Sequence, residues 1–134
     1  MRIAGIDYGS KRIGLAVSDE SGTLAFPKKV VQNTADAVAL VAAFIKENTA
    51  ERVVVGESKK LTGEANIIQK DAIVFRDLLA QAVGFAVDFE PEQYSSFEAE
   101  RFQEKDEMLD ARAAAIILQR YLDRRKHTEA GTNI

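Results

Sequence analysis

The chain has 134 residues, of which 46% are hydrophobic and 29% charged, and its formal net charge at pH 7 is -3. This length suits one domain with its own core and is too short for two. The absence of cysteine excludes disulfides and thiolate metal sites. No segment has the pattern of a signal peptide or of a membrane span, so we expect a cytoplasmic protein without membrane contact. The slightly acidic net charge argues against a protein that coats nucleic acid through bulk positive charge.

The first part of the chain predicts three strands in an antiparallel meander. Two apolar runs, 2–7 and 12–18, are separated by the turn-forming segment Tyr8-Gly9-Ser10-Lys11, which is typical of a hairpin. A third strand is predicted over 22–31. It contains Pro27, which suits the edge of a sheet because proline cannot donate a hydrogen bond to a neighbouring strand.

The middle of the chain predicts alternating helices and strands. Apolar residues recur at helical spacing from 37 to about 48, and Asn33 or Thr34 is placed to cap this helix. The β-branched run Val53-Val54-Val55-Gly56 is typical of a parallel strand buried inside a sheet. A second helix is predicted over 67–82, ended by Gly84, and a fifth strand over 85–89.

The end of the chain predicts two helices and a tail. Ser95 and Glu98 form a capping box for a short helix, and a long helix is predicted from about Asp106 to about Arg124. Residues 127–134 are predicted to be a flexible tail. A meander followed by alternating helices and strands predicts an α/β fold, with a mixed five-stranded sheet flanked by helices in one domain over 1–126.

Asp7 is the first candidate for a functional residue because it ends an apolar strand. Strands disfavour aspartate, and a buried carboxylate must be paired, hydrogen-bonded or bound to a metal. The neighbouring Gly5 and Gly9 would let a phosphate or a metal approach the main chain. The alternative is that Asp7 merely accepts hydrogen bonds from the amides of the turn that follows.

Acidic residues near the end of the chain are candidates for partners of Asp7. Hydrolysis of a phosphodiester with two metal ions needs carboxylates that converge from separate elements. Asp110 is favoured because the small residues Ala113 and Ala114 would let its helix approach the sheet closely. The alternative for Asp110 is a charge that only stabilises the helix dipole. The candidates are Glu90, Glu92, Asp106, Glu107 and Asp110.

Three segments of the sequence resemble one known family. The first segment is similar to the opening motif of the YqgF family, also called RuvX. It reads Gly5-Ile6-Asp7-Tyr8-Gly9-Ser10-Lys11-Arg12-Ile13-Gly14-Leu15-Ala16-Val17-Ser18-Asp19. Val54-Val55-Gly56, with Gly63 a few residues later, resembles its middle motif. The third segment resembles the final helix of the family and reads Asp110-Ala111-Arg112-Ala113-Ala114-Ala115-Ile116-Ile117-Leu118-Gln119-Arg120-Tyr121-Leu122.

The resemblance implies an RNase H-like fold and a metal-dependent nuclease. Members of the family are described as Holliday junction resolvases and as nucleases that process the 5′ end of pre-16S rRNA. The implied catalytic and metal-binding carboxylates are Asp7, Glu92 and Asp110, which would hold Mg²⁺ or Mn²⁺, as two ions. The implied partner is nucleic acid, either a structured RNA precursor or branched DNA. Whether the protein would act as a monomer or a homodimer stays open.

The segment around Glu92 departs from the family pattern. The family usually has Asp-Glu-Arg-Leu before two hydroxyl residues, whereas this chain has Pro91-Glu92-Gln93-Tyr94 before Ser95-Ser96. The glutamate is kept, but the adjacent acid and the arginine are absent. An alternative is therefore an rRNA maturation factor that binds nucleic acid with weakened or no catalysis.

Two basic pairs are candidates for substrate binding. Lys11 and Arg12 lie in the turn beside Asp7, and Lys59 and Lys60 follow the fourth strand. Such pairs could bind phosphate, or they could simply keep an exposed turn soluble. An ATPase related to actin or to sugar kinases also has an aspartate between glycines at a strand hairpin. Those proteins bind nucleotide between two domains, however, and this chain has room for one.

Overall fold

A computed structural model describes residues 1–58, 63–92 and 108–132, with side chains over most of these ranges. Five strands form one sheet in the order β3-β2-β1-β4-β5. β1, β2 and β3 pair antiparallel as a meander, and β4 runs parallel to both of its neighbours. This is the mixed five-stranded sheet that the sequence predicts. The elements are β1 (Arg2–Tyr8), β2 (Arg12–Ser18), β3 (Ala25–Gln32), α1 (Ala37–Glu47), β4 (Ala50–Ser58), α2 (Gly63–Val83), β5 (Val87–Glu92) and α3 (Leu109–Thr132).

Both faces of the sheet are covered by helices. Successive residues of a strand point to opposite faces, so each central strand contributes to two separate cores. One face packs against α1 and α2 and includes Ile6, Leu15 and Val55. The other face packs against α3, where Ile3, Ala16 and Val54 meet Ala114, Leu118 and Leu122. The unbroken apolar run of β4 is explained by this double coverage.

α3 lies unusually close to the sheet because glycines face it. A Cβ atom added at Gly5 would lie 2.6 Å from the Cβ of Leu118 and 3.0 Å from the carbonyl oxygen of Ala114. Real Cβ atoms do not approach other atoms so closely, and only glycine fits beneath the helix at this position. The glycine on β1 therefore allows the close approach of the helix that the sequence predicts.

The third strand is shorter than predicted. β3 is an edge strand, as Pro27 indicates, but it begins at Ala25 rather than near residue 22. The side chain of Asp19 organises the preceding turn, where its Oδ1 accepts hydrogen bonds from the backbone N–H groups of Thr23 and Leu24. Gly22 adopts a positive φ of 71° in the same turn. These local bonds compete with pairing to β2 and delay the start of the strand.

The predicted cap of the first helix is wrong. α1 begins at Ala37, its N-cap residue is Asp36, and no side chain caps it. Thr34 accepts a long hydrogen bond from the amide of Asp36 at 3.4 Å, and Asn33 binds elsewhere. The start of the helix thus lies two to three residues later than a cap at Asn33 or Thr34 would place it.

The later elements differ from the predictions mainly at their ends. α2 stops at Val83, and Gly84 with a φ of 84° confirms the predicted stop. β5 covers Val87–Glu92 rather than 85–89, because its pairing with β4 continues to the end of that strand. α3 is helical through Thr132, where the sequence predicts a tail from residue 127. The helix predicted at Ser95 and the helix start predicted at Asp106 lie outside the described residues.

The helices are also informative about membrane contact. Among the described residues, no helix has the length and apolar character needed to cross a membrane.

Candidate active site

Asp7 lies near the end of β1, on the face of the sheet that α3 covers. Asp7 is only 6% exposed to solvent. In the antiparallel pairing of β1 and β2, Asp7 is directly opposite Gly14. Residues that face each other in this way share one face of the sheet. The position of Gly14 therefore shows what lies next to Asp7.

Gly14 is in contact with the first turn of α3. A Cβ atom at Gly14 would lie 1.9 Å from the carbonyl oxygen of Asp110 and 2.9 Å from the amide nitrogen of Ala111. The backbone of Asp110 thus packs directly on the strand pair, beside Asp7. Asp7 and Asp110, which are far apart in the sequence, therefore lie at the same end of the sheet.

Asp110 is also bound by a side chain from β2. The Nε atom of Arg12 donates a hydrogen bond of 2.8 Å to Oδ2 of Asp110. The side chain of Asp110 is 15% exposed and that of Arg12 is 55% exposed. Arg12, which the sequence predicts as a substrate contact, therefore lies at the edge of the carboxylate site and borders solvent.

The turn that precedes Arg12 is held by a residue whose role the sequence does not reveal. Nδ2 of Asn33 donates to the carbonyl oxygen of Gly9 at 2.8 Å. The amide of Asn33 donates to the carbonyl oxygen of Lys11 at 2.9 Å. A Cβ at Gly9 would lie 2.6 Å from the carbonyl oxygen of Arg12, so the turn is tight. Asn33 thereby fixes the backbone that carries Lys11 and Arg12.

The remaining predicted site residues are described only in part. Glu92 is the last residue of β5, and its backbone is in register with that of Ser58 on β4. β4 lies between β5 and β1, so Glu92 and Asp7 are on strands that run parallel on either side of it. Lys59 and Lys60 lie outside the described residues. Their roles stay predictions.

Glu90 is a buried acid whose partner was not predictable from its position in the sequence. It is 2% exposed and lies in register with Gly56. Its carboxylate forms an ion pair with the guanidinium of Arg124 on α3. Burial raises the pKa of Glu90 above its ordinary value, and the nearby charges of Arg124 and Arg120 oppose that increase without cancelling it.

We expect Glu90→Gln to change how stability depends on pH. Because folding raises the pKa of Glu90, its contribution is most favourable below the ordinary value of 4.5 and is lost as pH rises through the folded value. The amide has no such titration. The free energy of unfolding of the variant, minus that of the wild type, should therefore increase from about pH 4 upwards and then level off.

Urea denaturation at several pH values measures this difference. Asp77→Asn is a suitable control, because it removes one acidic charge from a side chain that is 59% exposed. A difference for Glu90→Gln that does not vary with pH, or that decreases as pH rises, would contradict the raised pKa.

The donor chemistry of the site fits a hard divalent cation. Mg²⁺ prefers oxygen ligands and is commonly held by one or two carboxylates together with water and substrate phosphates. Asp7 and Asp110 provide two such carboxylates on two rigid elements. Among the side chains that the structure describes, no three of His, Cys, Asp and Glu form a group that could hold a metal.

Comparison with known proteins identifies related sequences over nearly the whole chain. A family model described as RuvX, Holliday junction resolvase, matches residues 1–124. A protein of Caldanaerobacter subterraneus named "Putative pre-16S rRNA nuclease" is 32% identical over 96% of this chain and 100% of its own length. A protein of the same name from Anaeromyxobacter sp. is 38% identical over 93% of this chain and 98% of its own length.

Solved structures share the fold. RuvC of Thermus thermophilus, in complex with a Holliday junction substrate, has a TM-score of 0.63 at 22% identity and covers 94% of this chain and 96% of its own. The fowlpox virus Holliday junction resolvase has a TM-score of 0.57 at 14% identity and covers 92% of this chain and 99% of its own. The fold is therefore the RNase H-like fold of these resolvases, as the family resemblance implies.

Proposed function

We propose that this chain, which belongs to the RuvX family of Holliday junction resolvases, is a metal-dependent nuclease with Asp7 and Asp110 at its catalytic centre. The observation that supports this proposal most strongly is the contact between Gly14 and the backbone of Asp110. It brings the first turn of α3 beside Asp7. Two carboxylates from separate elements, one from a strand and one from a helix, are the arrangement that metal-assisted phosphodiester hydrolysis needs.

Each proposed residue has a distinct task. The carboxylates of Asp7 and Asp110 would hold Mg²⁺ or Mn²⁺, and Glu92 would complete the set of acids. A bound ion of this kind supplies Lewis acidity toward the phosphate and lowers the pKa of water. Lys11 and Arg12 would bind the phosphate of the substrate, because Lys11 lies in the turn that Asn33 fixes next to the site and Arg12 follows it as the first residue of β2. Lys59 and Lys60 would extend this basic surface.

For the substrate, we propose the precursor of 16S rRNA, trimmed near its 5′ end in the cytoplasm. The support is the name carried by relatives that align over nearly their whole length. A four-way DNA junction is the alternative substrate, suggested by the family description and by the RuvC complex. A site that contacts only the phosphate backbone of a nucleic acid does not by itself distinguish RNA from DNA.

A second candidate function is a maturation factor that binds rRNA without cleaving it. Pro91 and Gln93 stand where the family resemblance predicts an acid and an arginine. Loss of an arginine that contacts phosphate would weaken the hold on the reacting group. The binding surface could persist after such a loss.

A cleavage assay distinguishes these functions. The purified chain is incubated with a pre-16S rRNA fragment that carries its 5′ extension, and separately with a four-way DNA junction, with Mn²⁺ or with a chelator. We expect cleavage of the RNA that requires Mn²⁺ and is lost in Asp110→Asn. Tight binding of the RNA without cleavage by the wild type would support the maturation factor instead.

A further inference from the structure

We infer that Arg12 competes with the divalent cation for the carboxylate of Asp110 and leaves it when the cation binds. The inference rests on the proposed function, since it assumes that Asp110 is a metal ligand. The proposed step is an exchange of partners: Oδ2 of Asp110 accepts a hydrogen bond from Arg12 without metal and binds the cation when it is present. The arrangement of carboxylates alone does not require such a step.

The geometry of the ion pair carries the first part of the argument. Nε of Arg12 lies 2.8 Å from Oδ2 of Asp110, which is the length of a strong charge-assisted hydrogen bond. A cation bound through this oxygen would bring two positive charges within a few ångströms of each other. Their repulsion, and the demand of both for the same lone pairs, disfavours simultaneous binding.

The difference in exposure shows which partner can move. Asp110 is fixed by the packing of its own backbone on Gly14, and its side chain is 15% exposed. Arg12 is the first residue of β2, at the rim of the site, and its side chain is 55% exposed. Displacement of an exposed guanidinium into water costs little, whereas moving the first turn of α3 would disrupt packing.

The displaced arginine would remain beside the site. Its backbone belongs to the strand that pairs with β1, and the preceding turn is held by the two hydrogen bonds of Asn33. A planar guanidinium binds phosphate oxygens in the same bidentate geometry in which it binds carboxylates. Arg12 is therefore a positioning residue for Asp110 without metal and a phosphate ligand once the metal is bound.

The test measures metal affinity in the absence of nucleic acid, so its readout does not depend on cleavage. Mn²⁺ binding to the full chain is measured by calorimetry for wild type, Arg12→Gln and Lys11→Gln. Removing the competitor should tighten Mn²⁺ binding by about fivefold in Arg12→Gln, the equivalent of ~1 kcal/mol. Lys11→Gln removes the same charge from the adjacent residue and should change the affinity by less than about twofold.

A second measurement follows Arg12 itself. In wild type, the Nε–H resonance of Arg12 should report a hydrogen-bonded proton without metal, and the diamagnetic ion Mg²⁺ should shift it toward the position of a solvated guanidinium. Weaker Mn²⁺ binding in Arg12→Gln, equal tightening in both variants, or an Nε–H resonance that Mg²⁺ leaves unchanged would overturn the inference.

The outcomes separate this inference from the proposed function. If wild type cleaves RNA with Mn²⁺ while Arg12→Gln shows no tighter binding, the exchange is wrong and the nuclease assignment stands. If neither wild type nor Arg12→Gln binds Mn²⁺ at millimolar concentration and wild type does not cleave RNA with Mn²⁺, both are wrong.

Discussion

Asp7→Asn is expected to reduce the rate of RNA cleavage by about 1,000-fold, which corresponds to a loss of ~4 kcal/mol in transition-state stabilisation. Asparagine has nearly the same shape as aspartate but lacks the negative charge and one of the two oxygens that hold a cation. Asp7 is buried opposite Gly14, and the turn that follows it, residues 8–11, contains no carboxylate that could take over its role. The rate is measured under single-turnover conditions with saturating Mn²⁺.

The variant should remain folded, since asparagine has nearly the same volume as aspartate and preserves the packing around this buried position. Circular dichroism and thermal unfolding check this. Asp36→Asn is the matched control, because it makes the same chemical change at an exposed position that caps no helix through its side chain. The control should cleave at the wild-type rate. An Asp7→Asn variant that cleaves as fast as wild type would show that the activity comes from another site or from a contaminant.

Gly14→Ala is expected to lower the free energy of unfolding by at least about 3 kcal/mol, at the upper end of the cost of overpacking. The added methyl group would lie 1.9 Å from the carbonyl oxygen of Asp110 and 2.3 Å from its carbonyl carbon. Both are backbone atoms, so relief requires the first turn of α3 to move away from the sheet. Such a movement separates Asp110 from Asp7, and Mn²⁺ affinity should decrease together with stability.

Urea denaturation and Mn²⁺ calorimetry measure the two effects of Gly14→Ala. Gly84→Ala is the comparison, because its φ is 84° and a Cβ there would meet no atom within 4 Å. That variant should lose only about 1 kcal/mol from backbone strain and keep the affinity of wild type for Mn²⁺. If Gly14→Ala is as stable as Gly84→Ala, α3 does not lie on the strand pair as described.

The fold was predictable where the signals are local. The hairpin of β1 and β2 follows from a turn-forming segment between two apolar runs, and the edge position of β3 follows from Pro27. The end of α3 shows the limit of this reasoning. Apolar periodicity stops after Leu122, which predicts a tail, yet the helix continues to Thr132. The good helix formers in this segment are Arg124, Arg125, Lys126, Glu129 and Ala130.

The members of the candidate site were predictable from the sequence, but the contacts between them were not. Asp7 is conspicuous as an aspartate that ends a strand, and Asp110 as an acid at the start of a helix with small residues. The contacts that unite them depend on tertiary packing. The hydrogen bond from Arg12 to Asp110 joins residues 98 positions apart, which no sequence spacing reveals.

Two further residues show why the surroundings of the site were missed. Asn33 precedes a helix and is therefore predicted as a cap, but its amide side chain instead binds the turn at Gly9. Glu90 is one acid among several in the sequence. Its burial and its pairing with Arg124 arise only when α3 crosses the sheet.

The central claim is that Asp7 and Asp110 hold one divalent cation together. The most direct test is a crystal of the full chain soaked in Mn²⁺, with anomalous scattering used to locate the ion. We expect a peak about 2.1–2.2 Å from a carboxylate oxygen of each of these two residues. A crystal whose anomalous peaks all lie away from Asp7 and Asp110, from protein that cleaves RNA with Mn²⁺ in solution, would contradict the assignment.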